Sequence, residues 1–280
     1  MIKKLQMLVL LIGASAFLCM SCSVITLEKS NVQPINLPGD TGGEHTPFVL
    51  GSTDSPYGFY LYIPGGYETT AQPYPLLIFL HGSGERGDSD INPDALDKVL
   101  SNGPPKLIRQ GTWDPPYPMI VASLQCPTGA YWDPAKVHET IEYFISEYRI
   151  NVSRVYMTGL SMGGYGTFNY LGRYGDDSYV AAAVPICGSG NTSQASQFKH
   201  IPLWAFHGME DTTVSVSGSI DMVEAINAEV PDVRAKLTLY PDVGHNSWSR
   251  TYDGSGMGTE SGDYDAFDES IFRWMFRYTR

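Results

Sequence analysis

The chain has 280 residues, a formal net charge of -12, 42% hydrophobic residues and only 17% charged ones. That balance excludes a disordered chain and leaves ample material for a buried core. Nucleic acid is excluded as a partner, because 18 Lys and Arg are outnumbered by 30 Asp and Glu and form no basic cluster.

Residues 1–21 carry Lys3 and Lys4, then an apolar run from Leu8 to Met20, then Ser21 before Cys22. A charged start and an apolar stretch shorter than the ~20 residues of a membrane span read as a secretory signal. Leu18, Ser21 and Cys22 resemble a degenerate lipobox in which Cys22 is acylated. The expectation is an exported protein, in the periplasm or at the outer membrane or cell surface, touching membrane through a lipid anchor only. Loss of that leader, with two lysines and no acid, takes the charge from -12 to -14.

Residues 22–50 hold Pro34, Pro38, Gly39, Gly42, Gly43 and Pro47 with little periodicity, and read as a tether or irregular lead-in. Residues 51–280 read as one α/β domain. Tyr57 to Ile63 is an aromatic strand stopped by Pro64-Gly65-Gly66. Leu76 to Leu80 is wholly apolar, as in a strand buried on both faces. Met119 to Leu124, Arg154 to Thr158, Val180 to Ile186, Leu203 to Phe206 and Lys236 to Tyr240 repeat that signature. Between them, Val137, Ile141, Phe144, Ile145 and Tyr148 recur at helical spacing, as do Ile220, Val223 and Ile226, and Ile271 to Tyr278 closes the chain. Strands alternating with helices predict a mostly parallel sheet with helices on both faces.

Gly159-Leu160-Ser161-Met162-Gly163 falls between the strand at Val155 to Met157 and a helix opening at Gly163. A nucleophile on so sharp a turn needs small neighbours two residues to either side, which Gly159 and Gly163 supply. The turn aims the Met162 N–H and the helix N-terminus at a reacting carbonyl. His81-Gly82-Ser83-Gly84 follows a buried strand directly, and its Ser83 N–H is the candidate second donor of an oxyanion hole. His81 itself reads as scaffold.

A serine hydroxyl needs a base to take its proton and a carboxylate to orient that base. His245, just beyond the last strand, is the candidate base. Asp211, in the loop after Leu203 to Phe206, is the candidate acid, with Glu210 and Asp242 as rivals. His45, His138, His200 and His207 read as surface or core residues, and no cluster has metal-ligand spacing along the chain.

From about Tyr57 onward the chain resembles the α/β-hydrolase superfamily, above all its carboxylesterase and dienelactone-hydrolase-like branches. Leu80 to Gly87, Arg154 to Gly166 and Gly244 to Trp248 are similar to secreted bacterial esterases often labelled predicted peptidases, themselves similar to feruloyl and acetyl carbohydrate esterases. The resemblance implies an α/β-hydrolase fold and ester hydrolysis through an acyl-enzyme, with no metal or organic cofactor. The ester would be a short acyl or aryl one, and a polysaccharide-linked alcohol is among the candidates. A phospholipase, a dienelactone-type hydrolase and a non-catalytic glycan-binding lipoprotein are the alternatives.

Only about 16 residues separate Ile186 from Leu203, which leaves no room for a cap domain. Gln125, Trp132, Tyr165 and Trp248, together with Tyr131, are candidate substrate contacts, with packing as the rival role for the aromatics. The stretch Gly254 to Gly262 reads as a rim of the site. In the strand order that the resemblance implies, Cys126 and Cys187 end strands three steps, about 14 Å, apart. A disulfide needs Cα atoms within ~7 Å, so two free thiols are expected.

Overall fold

The computed structural model describes residues 36–280. The leader, Cys22 and the first part of the lead-in lie outside the described residues. Among those described, no helix is long and apolar enough to cross a membrane.

Eight strands form one sheet: β1 (Glu44–Phe48), β2 (Gly58–Ile63), β3 (Tyr74–Leu80), β4 (Ile120–Gln125), β5 (Ile150–Leu160), β6 (Val180–Ile186), β7 (Trp204–Gly208) and β8 (Lys236–Tyr240). Their spatial order is β1-β2-β4-β3-β5-β6-β7-β8. β2 runs antiparallel to β1 and β4, and every later pairing is parallel. Among the described residues, six α-helices connect or flank them: α1 (Gly103–Arg109), α2 (Pro134–Glu147), α3 (Met162–Tyr174), α4 (Ser217–Ala228), α5 (Trp248–Tyr252) and α6 (Ile271–Met275).

Alternation along the central strands feeds two cores. On β3, Leu76, Ile78 and Leu80 join Phe144 of α2, Phe168 of α3 and Met222 of α4 on one face. Leu77 and Phe79 pack on the other face with Tyr252 of α5 and Ile271 and Trp274 of α6. A strand residue flips face at each step, so a strand covered on both sides must be apolar throughout, which is the run of residues the sequence shows.

The irregular lead-in expected through residue 50 is corrected at its end. Glu44–Phe48 pairs with β2 along its whole length, Glu44 against Ile63 and Phe48 against Phe59. β1 is an edge strand, mostly exposed, and this is why it tolerates Pro47 and shows no apolar period. At the opposite edge, Ser261 N–H donates to the Leu239 carbonyl and Asp265 N–H to that of Leu237, both at 2.8 Å. The end of the supposed rim therefore closes the open side of β8.

Between β6 and β7 lies only a short 3-10 turn at Thr192–Phe198. As expected, no cap domain interrupts that crossover. Cys126 and Cys187 are both buried and unpaired.

Candidate active site

Three parallel strands, β5, β7 and β8, end on the same edge of the sheet, with β6 between the first two, and the loops after them carry Ser161, Asp211 and His245. β5 ends at Leu160, and Ser161 turns the chain into α3 with φ 51° and ψ -116°. That conformation costs an L-residue about 1–3 kcal/mol and persists only where its surroundings hold it. Here the Ser161 N–H donates to the Ile186 carbonyl at 3.0 Å, and the Tyr165 N–H donates to the Ser161 carbonyl at 3.0 Å. A Cβ on Gly163 would overlap the Leu80 carbonyl oxygen, and one on Gly159 the Gly163 carbonyl. Glycine at both places lets α3 start directly against the ends of β3 and β5.

Ser161 Oγ donates to His245 Nε2 at 2.8 Å, and His245 Nδ1 donates to Asp211 Oδ2 at 2.7 Å. Asp211 Oδ1 accepts the Thr213 and Val214 N–H groups at 2.8 and 2.9 Å. Burial by itself would raise the Asp211 carboxyl, but the bonds from His245, Val214 and Thr213 outweigh it and hold the group below the usual carboxylate range. The rivals Glu210 and Asp242 are exposed, and their side chains are not part of this chain of bonds. Oδ2 has a second contact, His207 Nε2 at 3.1 Å, from a residue that the sequence places no nearer the site than surface or core.

Met162 is the first residue of α3, so its N–H is among those a helix leaves without an internal partner. Ser83 opens a 3-10 turn, Ser83–Glu85, separated from β3 by two residues. The two loops touch, since a Cβ on Gly82 would stand 3.5 Å from Ser161 Cβ and 2.8 Å from Leu160 Cδ1. His81 underpins the first loop. Its Nδ1 donates to the Gly82 carbonyl at 2.6 Å and its Nε2 accepts the Cys126 N–H at 2.9 Å, which fixes a neutral ring. Burial pushes its pKa down to about 4.

The candidate substrate contacts divide. Gln125 is buried, and its Nε2 donates to the Ala95 carbonyl at 2.6 Å and the Glu85 carbonyl at 3.3 Å, which ties down the segment after β3. Trp132 is buried as well: it lies edge-on to Tyr57 and His81 and donates to the His81 carbonyl at 3.1 Å. Both are therefore corrected to scaffold. Tyr165 is 38% exposed at the start of α3, and Tyr131 is 76% exposed beside the Arg86 guanidinium. Trp248 is half-buried, edge-on to the His245 ring at 5.3 Å, with its indole N–H held by Asn102 Oδ1 at 3.0 Å. Asn102 in turn donates to Glu85, which links the wall beside His245 to the loop of Ser83.

Cys187, Asp211 and His245, remote in sequence, offer potential ligand atoms within 4.8 Å of one another. Spacing along the chain could not have shown this. Asp211 and His245 already share a 2.7 Å hydrogen bond, and burial raises the Cys187 thiol to about 12, so it stays protonated.

A mostly parallel sheet carrying a serine on a strained strand-to-helix turn, with an acid and a histidine on the loops after β7 and β8, defines an α/β-hydrolase. The dienelactone hydrolase family model matches residues 127–269, a span that includes Ser161, Asp211 and His245, and the chain belongs to that family. Among solved structures, a thermostable esterase is similar at 26% identity and TM-score 0.62, covering 86% of this chain. The chain spans 64% of that esterase's length. A putative dienelactone hydrolase from Klebsiella pneumoniae subsp. pneumoniae MGH 78578 shares the fold at 17% identity and TM-score 0.51, over 79% of this chain and 93% of that one. The feruloyl esterase module of Clostridium thermocellum, solved with sinapinate, shares it at 16% identity and TM-score 0.53, over 78% and 86%. No curated protein matches the chain in sequence.

Proposed function

We propose that this protein is a serine carboxylic-ester hydrolase working through an acyl-enzyme. The unbroken path from Ser161 Oγ through His245 to Asp211, at 2.8 and 2.7 Å, carries the reading. Because His245 Nδ1 donates to Asp211, its Nε2 presents a lone pair to the serine proton. As Ser161 Oγ bonds to the ester carbon, that proton passes to Nε2. The charge on the carbonyl oxygen then meets the N–H groups of Met162 and Ser83. Collapse of this intermediate breaks the bond to the alcohol, which leaves with the proton from Nε2. Water repeats the sequence on the acyl-enzyme, losing a proton to His245 and releasing the acid and free Ser161.

The open site favours a short acyl or aryl group, acetyl or feruloyl in kind, on a bulky alcohol such as a carbohydrate. Two observations support this: the crossover between β6 and β7 carries no cap, and Tyr131 and Tyr165 present ring surface to solvent near the strand ends. Export on a Cys22 lipid anchor belongs to the same proposal: Cys22→Ala protein should leave the membrane fraction, and finding it still there would overturn the anchor.

The deciding assay compares Ser161→Ala with wild type on p-nitrophenyl acetate. A loss of about a thousandfold or more is expected, and equal rates would overturn the reading. Ranking methyl ferulate, acetylated xylan and medium-chain acyl esters by kcat/KM then tests the substrate class; a preference for the medium-chain esters would defeat it.

A further inference from the structure

His207 is the last residue but one of β7, its side chain wholly buried, and it is the second imidazole on the carboxylate of Asp211. Its Nε2 faces two acceptors, Asp211 Oδ2 at 3.1 Å and the Val214 carbonyl at 3.1 Å, so that nitrogen carries the hydrogen. Its Nδ1 lies 2.8 Å from Ser219 Oγ. The Ser219 hydroxyl has one proton and two possible acceptors, Nδ1 and the Gly188 carbonyl at 3.1 Å. Burial holds the ring below the ordinary imidazole pKa, with the neighbouring His245 adding to that effect. The ring is therefore neutral, and Ser219 donates to Nδ1.

We propose that His207 is a positioning residue for the reaction at Ser161, aiming the Asp211 carboxylate at His245, with Ser219 setting the tautomer that lets it do so. The inference rests on the serine-hydrolase reading above. All acceptor sites that Asp211 needs are then filled: Oδ1 by two backbone N–H groups and Oδ2 by two ring N–H groups. Held from both ends, the carboxylate cannot rotate away from His245 Nδ1. A neutral donor suits the place. When His245 takes the serine proton, a permanently charged Lys or Arg on the same oxygen would oppose the new imidazolium, whereas a neutral imidazole does not.

The test measures kcat and KM on p-nitrophenyl acetate, with thermal unfolding, for wild type, His207→Leu, His207→Gln, Ser219→Ala and Ser161→Ala. His207→Leu should lose about tenfold or more in kcat, the size expected for one bond to a charged group, while KM stays put, because His207 touches no substrate. His207→Gln, whose amide keeps a neutral N–H near the Nε2 position, should recover much of the loss. Ser219→Ala should lower kcat by a smaller factor. Unchanged kcat in His207→Leu, or a Gln variant no better than Leu, overturns the proposal. Should His207→Leu not fold, Ser219→Ala decides, and kcat equal to wild type overturns it. Activity retained in Ser161→Ala defeats the hydrolase reading itself, a result separable from either of these.

Discussion

His245 Nδ1 stands 2.7 Å from Asp211 Oδ2, although 33 residues and a whole helix and strand lie between them in the chain. Asp211→Asn keeps the shape but puts an N–H where an acceptor stood, so His245 must turn its Nδ1 lone pair inward and its Nε2–H toward Ser161. A kcat lower by about 10³–10⁴ is expected, the scale of a tautomer error in such a triad. Glu210→Gln and Asp242→Asn, at exposed positions, should leave kcat unchanged. Steady-state kinetics on the three variants checks both halves.

Gly163 and Leu80 set a steric limit on the same turn. Gly163→Ala forces the new methyl onto the Leu80 carbonyl, so α3 must move away from β3. Destabilisation of about 1–3 kcal/mol is expected from overpacking, with activity falling further as Ser161 is displaced. Gly84→Ala is the matched control, since nothing lies within 4 Å of its Cβ position, and it should melt like wild type.

Acid should destabilise the fold well before the carboxylates titrate. Burial lowers His81 to about 4 against 6.5 in the unfolded chain, so between those values the unfolded state binds the extra proton. Stability from this group is complete above pH 6.5 and falls as pH drops toward 4. The loss amounts to about 3 kcal/mol at 1.36 kcal/mol per pKa unit. His207 is lowered too and acts with the same sign. Asp211, held below its ordinary range, withdraws its contribution only at still lower pH. Urea midpoints measured from pH 7.5 to 4 should decline through that window, and a flat series would contradict the burial of His81.

Both cysteines should be silent in the folded protein. Burial raises Cys126 to about 11 and Cys187 to about 12, so neither forms thiolate near neutrality. In protein freed of its leader and Cys22, alkylation at pH 8 should be negligible until denaturant is added, and two thiols should then react. Mass spectrometry of the labelled protein reads the count directly.

Much of this site is legible in the sequence because its determinants are local. Apolar runs mark strands covered on both faces, Gly159 and Gly163 mark the turn around Ser161, and the order Ser161, Asp211, His245 follows from which strand each residue succeeds. Even the free thiols follow from strand order, since β4 and β6 stand three positions apart. β1 escaped because an edge strand buries little and so leaves no period. Gln125 and Trp132 escaped because an aromatic or amide near a strand end has the same local signature whether it faces a substrate or braces the loop beneath one.

Only the tertiary structure decided which groups share an atom. His207 and His245 converge on a single oxygen of Asp211, and Cys187 comes to lie beside them, because β6, β7 and β8 are neighbours and their registers bring the three following loops together. Periodicity reports the face a residue turns to; it holds no information about the partner on the next strand. The sequence by itself therefore determined the fold and singled out Ser161, Asp211 and His245 as the candidate groups. The hydrogen bonds that hold those groups in place were decided by packing between segments remote in the chain.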